Sequence, residues 1–177
     1  LNASTIDGYN PYRITSKGIE WEIADPEDPW SFIGYWGDHQ IIYLLKLLEI
    51  SVKFHPQDLV KFLDQPFFTY ANVPYRLKAY DDICSNPYST IVYDEDEEKK
   101  ISALCRDIGA DGKLIWHKGE ALKASLTEKL LLTLLTKLSN FVPEGGIWMN
   151  TQRPEWNDAN NALVGHGLSM VTVYHIR

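Results

Sequence analysis

The chain has 177 residues, 45% apolar and 23% charged, with a formal net charge of -7. That length supports one domain with a sizeable core. The acidic balance and scattered Lys and Arg argue against a nucleic-acid or anionic-membrane partner, and the longest apolar-rich stretch, Leu130 to Leu135, is broken by Thr133 and too short to span a bilayer.

The first residues, Leu1-Asn2-Ala3-Ser4, carry no basic-then-apolar leader pattern, and a leading Leu suggests a fragment or a missing start. Residues 1 to 36 are rich in Pro, Asp, Trp and Gly, with turn chemistry at Asp25-Pro26 and Asp28-Pro29. They read as a long loop with little regular structure. A helix is expected from about Asp38, because Ile41, Ile42, Leu44, Leu45, Leu48 and Val52 recur at helical spacing. Pro56 ends it and opens a second short helix through Leu59, Val60, Phe62 and Leu63. Residues 64 to 75 read as extended, and Tyr75 to Ile83 as a short helical turn.

Thr90 to Tyr93 and Lys113 to Trp116 are expected to pair as a small β-hairpin. Between them, Asp94 to Asp107 opens with Asp94, Glu95, Asp96, Glu97 and Glu98, acids that complement a helix N-terminus; Gly109 or Gly112 closes the helix. The clearest helix is expected over Glu120 to Phe141, with Leu122, Leu126, Leu130, Leu131, Leu134, Leu135 and Leu138 as a broad apolar stripe. Pro143-Glu144-Gly145-Gly146 breaks it. A last helix is expected from about Asp158 to the end. The reading is a mainly α chain of antiparallel helical hairpins joined by long, aromatic-rich loops. Such loops suggest that function sits on one face of the array.

Six Trp and ten Tyr form a heavy aromatic load. Most large aromatics build core. Trp36 and Trp156, however, stand among polar residues in loops, where a flat ring suits the C–H face of a sugar. In Arg153-Pro154-Glu155-Trp156-Asn157-Asp158, two carboxylates flank Trp-Asn. A carboxyl desolvated beside Trp can stay protonated as a general acid, and Asn157 can bond a substrate hydroxyl. Asp158 is equally an N-cap for the last helix, and Arg153 a structural partner of Glu155. In Gly34-Tyr35-Trp36-Gly37-Asp38-His39-Gln40, glycines bracket an aromatic pair before a helix start. His39 has no spacing to the other histidines that suits a metal, so no metal site is expected. There is no phosphate-binding Gly loop and no nucleophile elbow. Cys84 and Cys105 read as buried, reduced thiols of a cytoplasmic protein.

The segment Gly145 to Asn161, with Trp156-Asn157-Asp158 at its centre, resembles the Gly-Asp-Trp-Asn-Asp-Gly-Met-Asn loop of cellobiose-phosphorylase-like enzymes in the six-hairpin glycosidase superfamily. Trp36-Gly37-Asp38-His39-Gln40 is similar to that family's Ser-Asp-Asp segment, whose Asp contacts the sugar. Leu63-Asp64-Gln65-Pro66-Phe67-Phe68 resembles its Leu-Asp-Glu-x-Val-x-Phe segment. The resemblance implies part of an (α/α)6-type toroid, with Asp158 as general acid and Glu155 as the second carboxylate. Trp36, Asp38, Trp156 and Asn157 are expected to line the donor-sugar subsite, with His39, Gln40 and Arg153 as further candidate substrate-binding residues. Glu155 departs from the family's Asp, and Trp30 to Phe32 stand where it has an Arg. A complete toroid needs a much longer chain, so the resemblance places the catalytic base beyond Arg177.

The expected function is therefore a catalytic-domain fragment, residues 1–177, that cleaves a glycosidic bond by hydrolysis or phosphorolysis. Its partners would be an oligosaccharide or glycoside and the remainder of the same polypeptide. No cofactor is expected; inorganic phosphate would be a co-substrate for a phosphorylase. The alternative is a non-catalytic carbohydrate-binding or scaffold module.

Overall fold

A computed structural model describes residues 3–6, 8, 11–21, 38–149, 163 and 165–177, and for 12–15, 19 and 38–40 the backbone only. The expected loop at the start contains three strands: β1 (Ala3–Thr5), β2 (Tyr12–Thr15) and β3 (Gly18–Trp21). β2 and β3 pair antiparallel about Ser16-Lys17, with Ile14 opposite Ile19 and Tyr12 opposite Trp21. The Asp-Pro turns, Trp30, Tyr35 and Trp36 lie outside the described residues.

The next elements follow expectation more closely. Helix α1 (Asp38–Phe54) ends before Pro56, and α2 (Pro56–Leu63) begins on that proline. Then come β4 (Phe68–Ala71) and β5 (Tyr75–Leu77), so the helical turn expected at Tyr75 starts later, as α3 (Tyr80–Ser85). β6 (Ile91–Tyr93) pairs antiparallel with β5, correcting the expected partner, Lys113 to Trp116. Helix α4 (Glu95–Ile108) is capped by Asp94, whose carboxylate accepts from the backbone N–H of Asp96 and Glu97; Gly109, at φ +80°, ends it.

A 3₁₀ turn (Gly109–Lys113) packs back on α4. Gly112 is required there, because a Cβ would fall 2.5 Å from the Cys105 backbone nitrogen. The long leucine-rich helix is shorter than its periodicity suggests. After β7 (Trp116–His117), its expected first residues form β8 (Glu120–Ala121) and β9 (Lys123–Ala124). Lys118 and Gly119, both at positive φ, make the two-residue turn joining β7 to β8. Helix α5 (Leu126–Leu138) starts only after Ser125, whose hydroxyl accepts from Glu128 N.

The chain closes with β10 (Phe141–Val142), β11 (Gly146–Trp148), β12 (Leu168–Ser169) and α6 (Met170–Ile176). The expected last helix is thus interrupted by a strand; its start at Asp158 lies outside the described residues. β4 is the centre of a three-stranded sheet, parallel to β1 and antiparallel to β9. β11 is the centre of a second, between β10 and β12.

These findings correct the toroid. Among the described residues, six α-helices alternate with twelve short strands in five small sheets, instead of forming successive antiparallel hairpins. Short β-forming runs between proline and glycine breaks divide what apolar periodicity alone joins into hairpins. The described core falls into local clusters: Val73 and Tyr75 with Ile91, and Ile147 and Met149 with Val173 and Ile176. No helix among the described residues is long and apolar enough to cross a membrane.

Candidate functional site

In sequence the Trp-Asn-Asp segment lies between β11 and β12. Arg153, Glu155, Trp156, Asn157 and Asp158 lie outside the described residues, as does Trp36. The stem that carries the segment is described, and it is closed by hydrogen bonds. Met149 N donates to Gly167 O at 3.0 Å, and Gly165 N to Met149 O at 2.7 Å. Trp148 Nε1 donates to Gly165 O at 3.1 Å. Gly165 sits at φ +76°, and a Cβ there would fall 2.2 Å from Pro87 Cβ, so glycine alone fits both the backbone and the neighbour. Beneath the stem, Ile147 is fully buried and Met149 is 5% exposed. A rigid two-strand base thus holds the ends of the acid-bearing segment.

Asp38, His39 and Gln40 form the first turn of α1. Helix α1 packs against α6, and α6 packs against β11. The helix carrying one constellation and the strand leading into the other therefore belong to one packed unit.

Sequence reasoning missed a polar cluster under β4. Lys129 of α5 is completely buried, with its Nζ 2.9 Å from Ser4 Oγ on β1 and 3.7 Å from the centre of the Tyr70 ring on β4. Ser4 and Tyr70 are themselves buried, and the Tyr70 hydroxyl donates to the Glu128 carboxylate. Burial drives the Lys129 amine down to about 8, against the opposing pull of Glu128. Burial, then the hydrogen bond to Glu128, pushes the Tyr70 phenol above its ordinary range.

A basic amine beside a serine hydroxyl is a nucleophile-and-base pairing in chemical type. Here both groups are sealed from solvent, and they meet where α5 lies against β1. A sequence signal did exist: Lys129, Thr133 and Lys137 share one side of α5, four residues apart, and all three are buried. Nothing in Ala3-Ser4-Thr5 marks Ser4 as the partner of Lys129.

A second polar group surrounds Glu97. Asn72 Nδ2 donates to it at 2.7 Å and Lys100 Nζ approaches at 3.0 Å. The hydrogen bond from Asn72 leads in holding the carboxyl below its usual range. This group ties α4 to the end of β4. Among the described residues no cluster of His, Cys, Asp and Glu suits a metal ion. Cys84 and Cys105 are free thiols, and Cys84 is exposed, which corrects its expected burial. No family model and no curated protein matches this chain.

Proposed function

We propose that the chain is carbohydrate-active and takes part in cleaving a glycosidic bond, with Asp158 as general acid. The observation that carries this reading is the segment Arg153 to Asp158, in which Glu155 and Asp158 bracket Trp156-Asn157. A ring beside a carboxyl supplies both a platform for the sugar and the desolvation that keeps the acid protonated. The closed stem of Trp148, Met149, Gly165 and Gly167 supports it, since catalytic groups on a loop gain precision from a rigid base.

In the proposed step Asp158 gives its proton to the glycosidic oxygen as the bond from that oxygen to the anomeric carbon breaks. Water, or inorganic phosphate in a phosphorylase, attacks the anomeric carbon from the opposite face. In hydrolysis a base takes the proton of the water. In an inverting enzyme acid and base stand roughly 6.5–9.5 Å apart, which leaves room for the attacking group. In this reading Trp36, Asp38, Trp156 and Asn157 would form the donor-sugar subsite, His39, Gln40 and Arg153 would add substrate contacts, and the remainder of the polypeptide would supply the base. Both cysteines stand as free thiols, which fits a cytoplasmic setting.

One observation favours a part of a larger assembly over a self-contained binding module. Tyr43, Leu47 and Ile50 on α1 and Leu131 and Leu135 on α5 are all exposed. Apolar faces of this extent belong against another surface. The test is Asp158→Asn in the full-length protein, assayed on an oligosaccharide panel with and without phosphate. Loss of turnover with retained sugar binding is expected. Unchanged turnover removes Asp158 from the acid role, and sugar binding with no turnover by the parent protein selects the binding module. A strict phosphate requirement selects phosphorolysis.

A further inference from the structure

An open cleft of about 660 Å³ lies beside the stem, lined among others by Lys78, Asp82, Ser85, Asn86 and Ser89. Its walls are α3, the turn after it and the β5–β6 ladder. Backbone bonds fix these walls: Lys78 N donates to Thr90 O at 2.8 Å, and Asn86 N to Asp82 O at 3.0 Å. The same elements rest on the stem of the acid-bearing segment. Tyr80 meets Trp148 edge-on at 6.0 Å, the Tyr88 ring stands 6.4 Å from His166, and Pro87 abuts Gly165.

The lining selects a ligand type. Lys78 Nζ donates to Ser89 Oγ at 2.7 Å and keeps further protons to give. Asn86 accepts from Tyr88 N through Oδ1, which leaves its amide NH₂ as a donor. Ser85 Oγ gives its proton to Asp81 O and keeps its lone pairs. Asp82 is an exposed carboxylate that only accepts. One ammonium and one carboxylate thus face the same space. An anion such as phosphate meets Asp82, and a metal cation meets Lys78. A neutral molecule with several hydroxyls satisfies both, because each hydroxyl donates to the carboxylate and accepts from the amine. Leu77 and Val92 add an apolar patch for C–H groups.

We propose that this cleft is a saccharide subsite, holding a neutral sugar unit beside the stem formed by Trp148, Met149, Gly165 and Gly167. The proposal rests on the carbohydrate reading of the loop that carries Asp158. Binding of glucose, cellobiose and maltose to the full-length protein, with ethylene glycol and inorganic phosphate as controls, is measured by calorimetry. Saturable binding of at least one saccharide in about the millimolar range is expected. It should weaken at least tenfold in Asp82→Ala and in Lys78→Met, with the melting temperature held.

Asp82 is exposed, so its removal leaves folding intact. Failure of every saccharide to saturate, parent-like binding by Asp82→Ala, or saturation by phosphate in place of sugar overturns the subsite. The two readings separate cleanly. If Asp158→Asn loses turnover while Asp82→Ala keeps both binding and turnover, the subsite falls and the acid stands. If Asp82→Ala loses binding while Asp158→Asn turns over normally, the acid falls and the subsite stands.

Discussion

Helices α4 and α5 are each capped by the residue just before them, yet they bury opposite kinds of face. α4 hides Ile101, half-buries Leu104 and Cys105, and sends Asp96, Lys99 and Lys100 to solvent. α5 hides Lys129, Thr133 and Lys137 beside Leu126 and leaves Leu131, Leu135 and Leu138 exposed. Caps are local, because one side chain meets a backbone N–H two or three residues on. Which face is buried is decided by the neighbours. α4 lies against the 3₁₀ turn, whereas α5 offers an amine to Ser4 and a carboxylate to Tyr70.

The largest test sets the two buried faces against each other. Ile101→Ala and Lys129→Ala should each cost roughly 2–5 kcal/mol in urea unfolding, because both delete a long buried stem. Lys129→Met, which keeps the stem and removes the amine, should stay within about 1 kcal/mol of the parent, since the desolvation it relieves offsets the bonds it loses. A Met variant as damaged as the Ala variant would mean that the amine, and not the stem, holds β1 in place.

The buried amine also gives α5 a pH signature that α4 lacks. Lys129 has its folded value depressed to about 8, so the unfolded chain binds more protons above that pH. Stability therefore rises as pH climbs from about 8 toward the ordinary lysine value near 10.4, by an amount on the order of 2 kcal/mol. Above about 10 the sign reverses for Tyr70, whose raised value makes the unfolded chain the readier to lose a proton. Thermal melts of the parent should rise relative to Lys129→Met across that window. Parallel curves would show that the amine titrates normally.

The caps should behave alike. Asp94→Ala and Ser125→Ala each remove one side-chain acceptor at a helix start. Each should cost about 1 kcal/mol by denaturant midpoint. A loss at Asp94 well above that at Ser125 would assign the excess to the acidic first turn, Glu95 to Glu98.

This pattern explains what could be read from the chain. Pro56 and Gly109 end helices by backbone chemistry carried within the residue itself, and both ends were legible. The acids at Asp94 to Glu98 marked a helix start for the same reason. The leucines from Leu122 to Leu138 overstated their helix, because periodicity does not register the Lys118-Gly119 turn that returns Glu120 to Ala124 to strands. β1 escaped notice because three residues pairing with a strand more than sixty positions away leave no local pattern. The cleft around Asp82 was illegible for a related cause: Lys78, Asn86 and Ser89 are ordinary turn and strand residues until α3 sets them on one space. Of the candidate site, the stem glycines Gly165 and Gly167 fell inside the helix expected from Asp158, and the fit of Gly165 against Pro87 had no sequence signal.

The smallest expected effect bears on the outward face of α5. Leu131 is 47% exposed and Leu135 57% exposed, so replacing both by Gln removes little contact made within the described fold. Glutamine keeps nearly the helix propensity of leucine, and the double variant should unfold within about 0.5 kcal/mol of the parent. Binding of a hydrophobic dye such as ANS should fall, because two exposed leucines leave the surface. A loss above about 2 kcal/mol would mean that this face is packed in the folded protein. α5 would then bury both of its sides, and its contrast with α4 would lie in how completely it is enclosed.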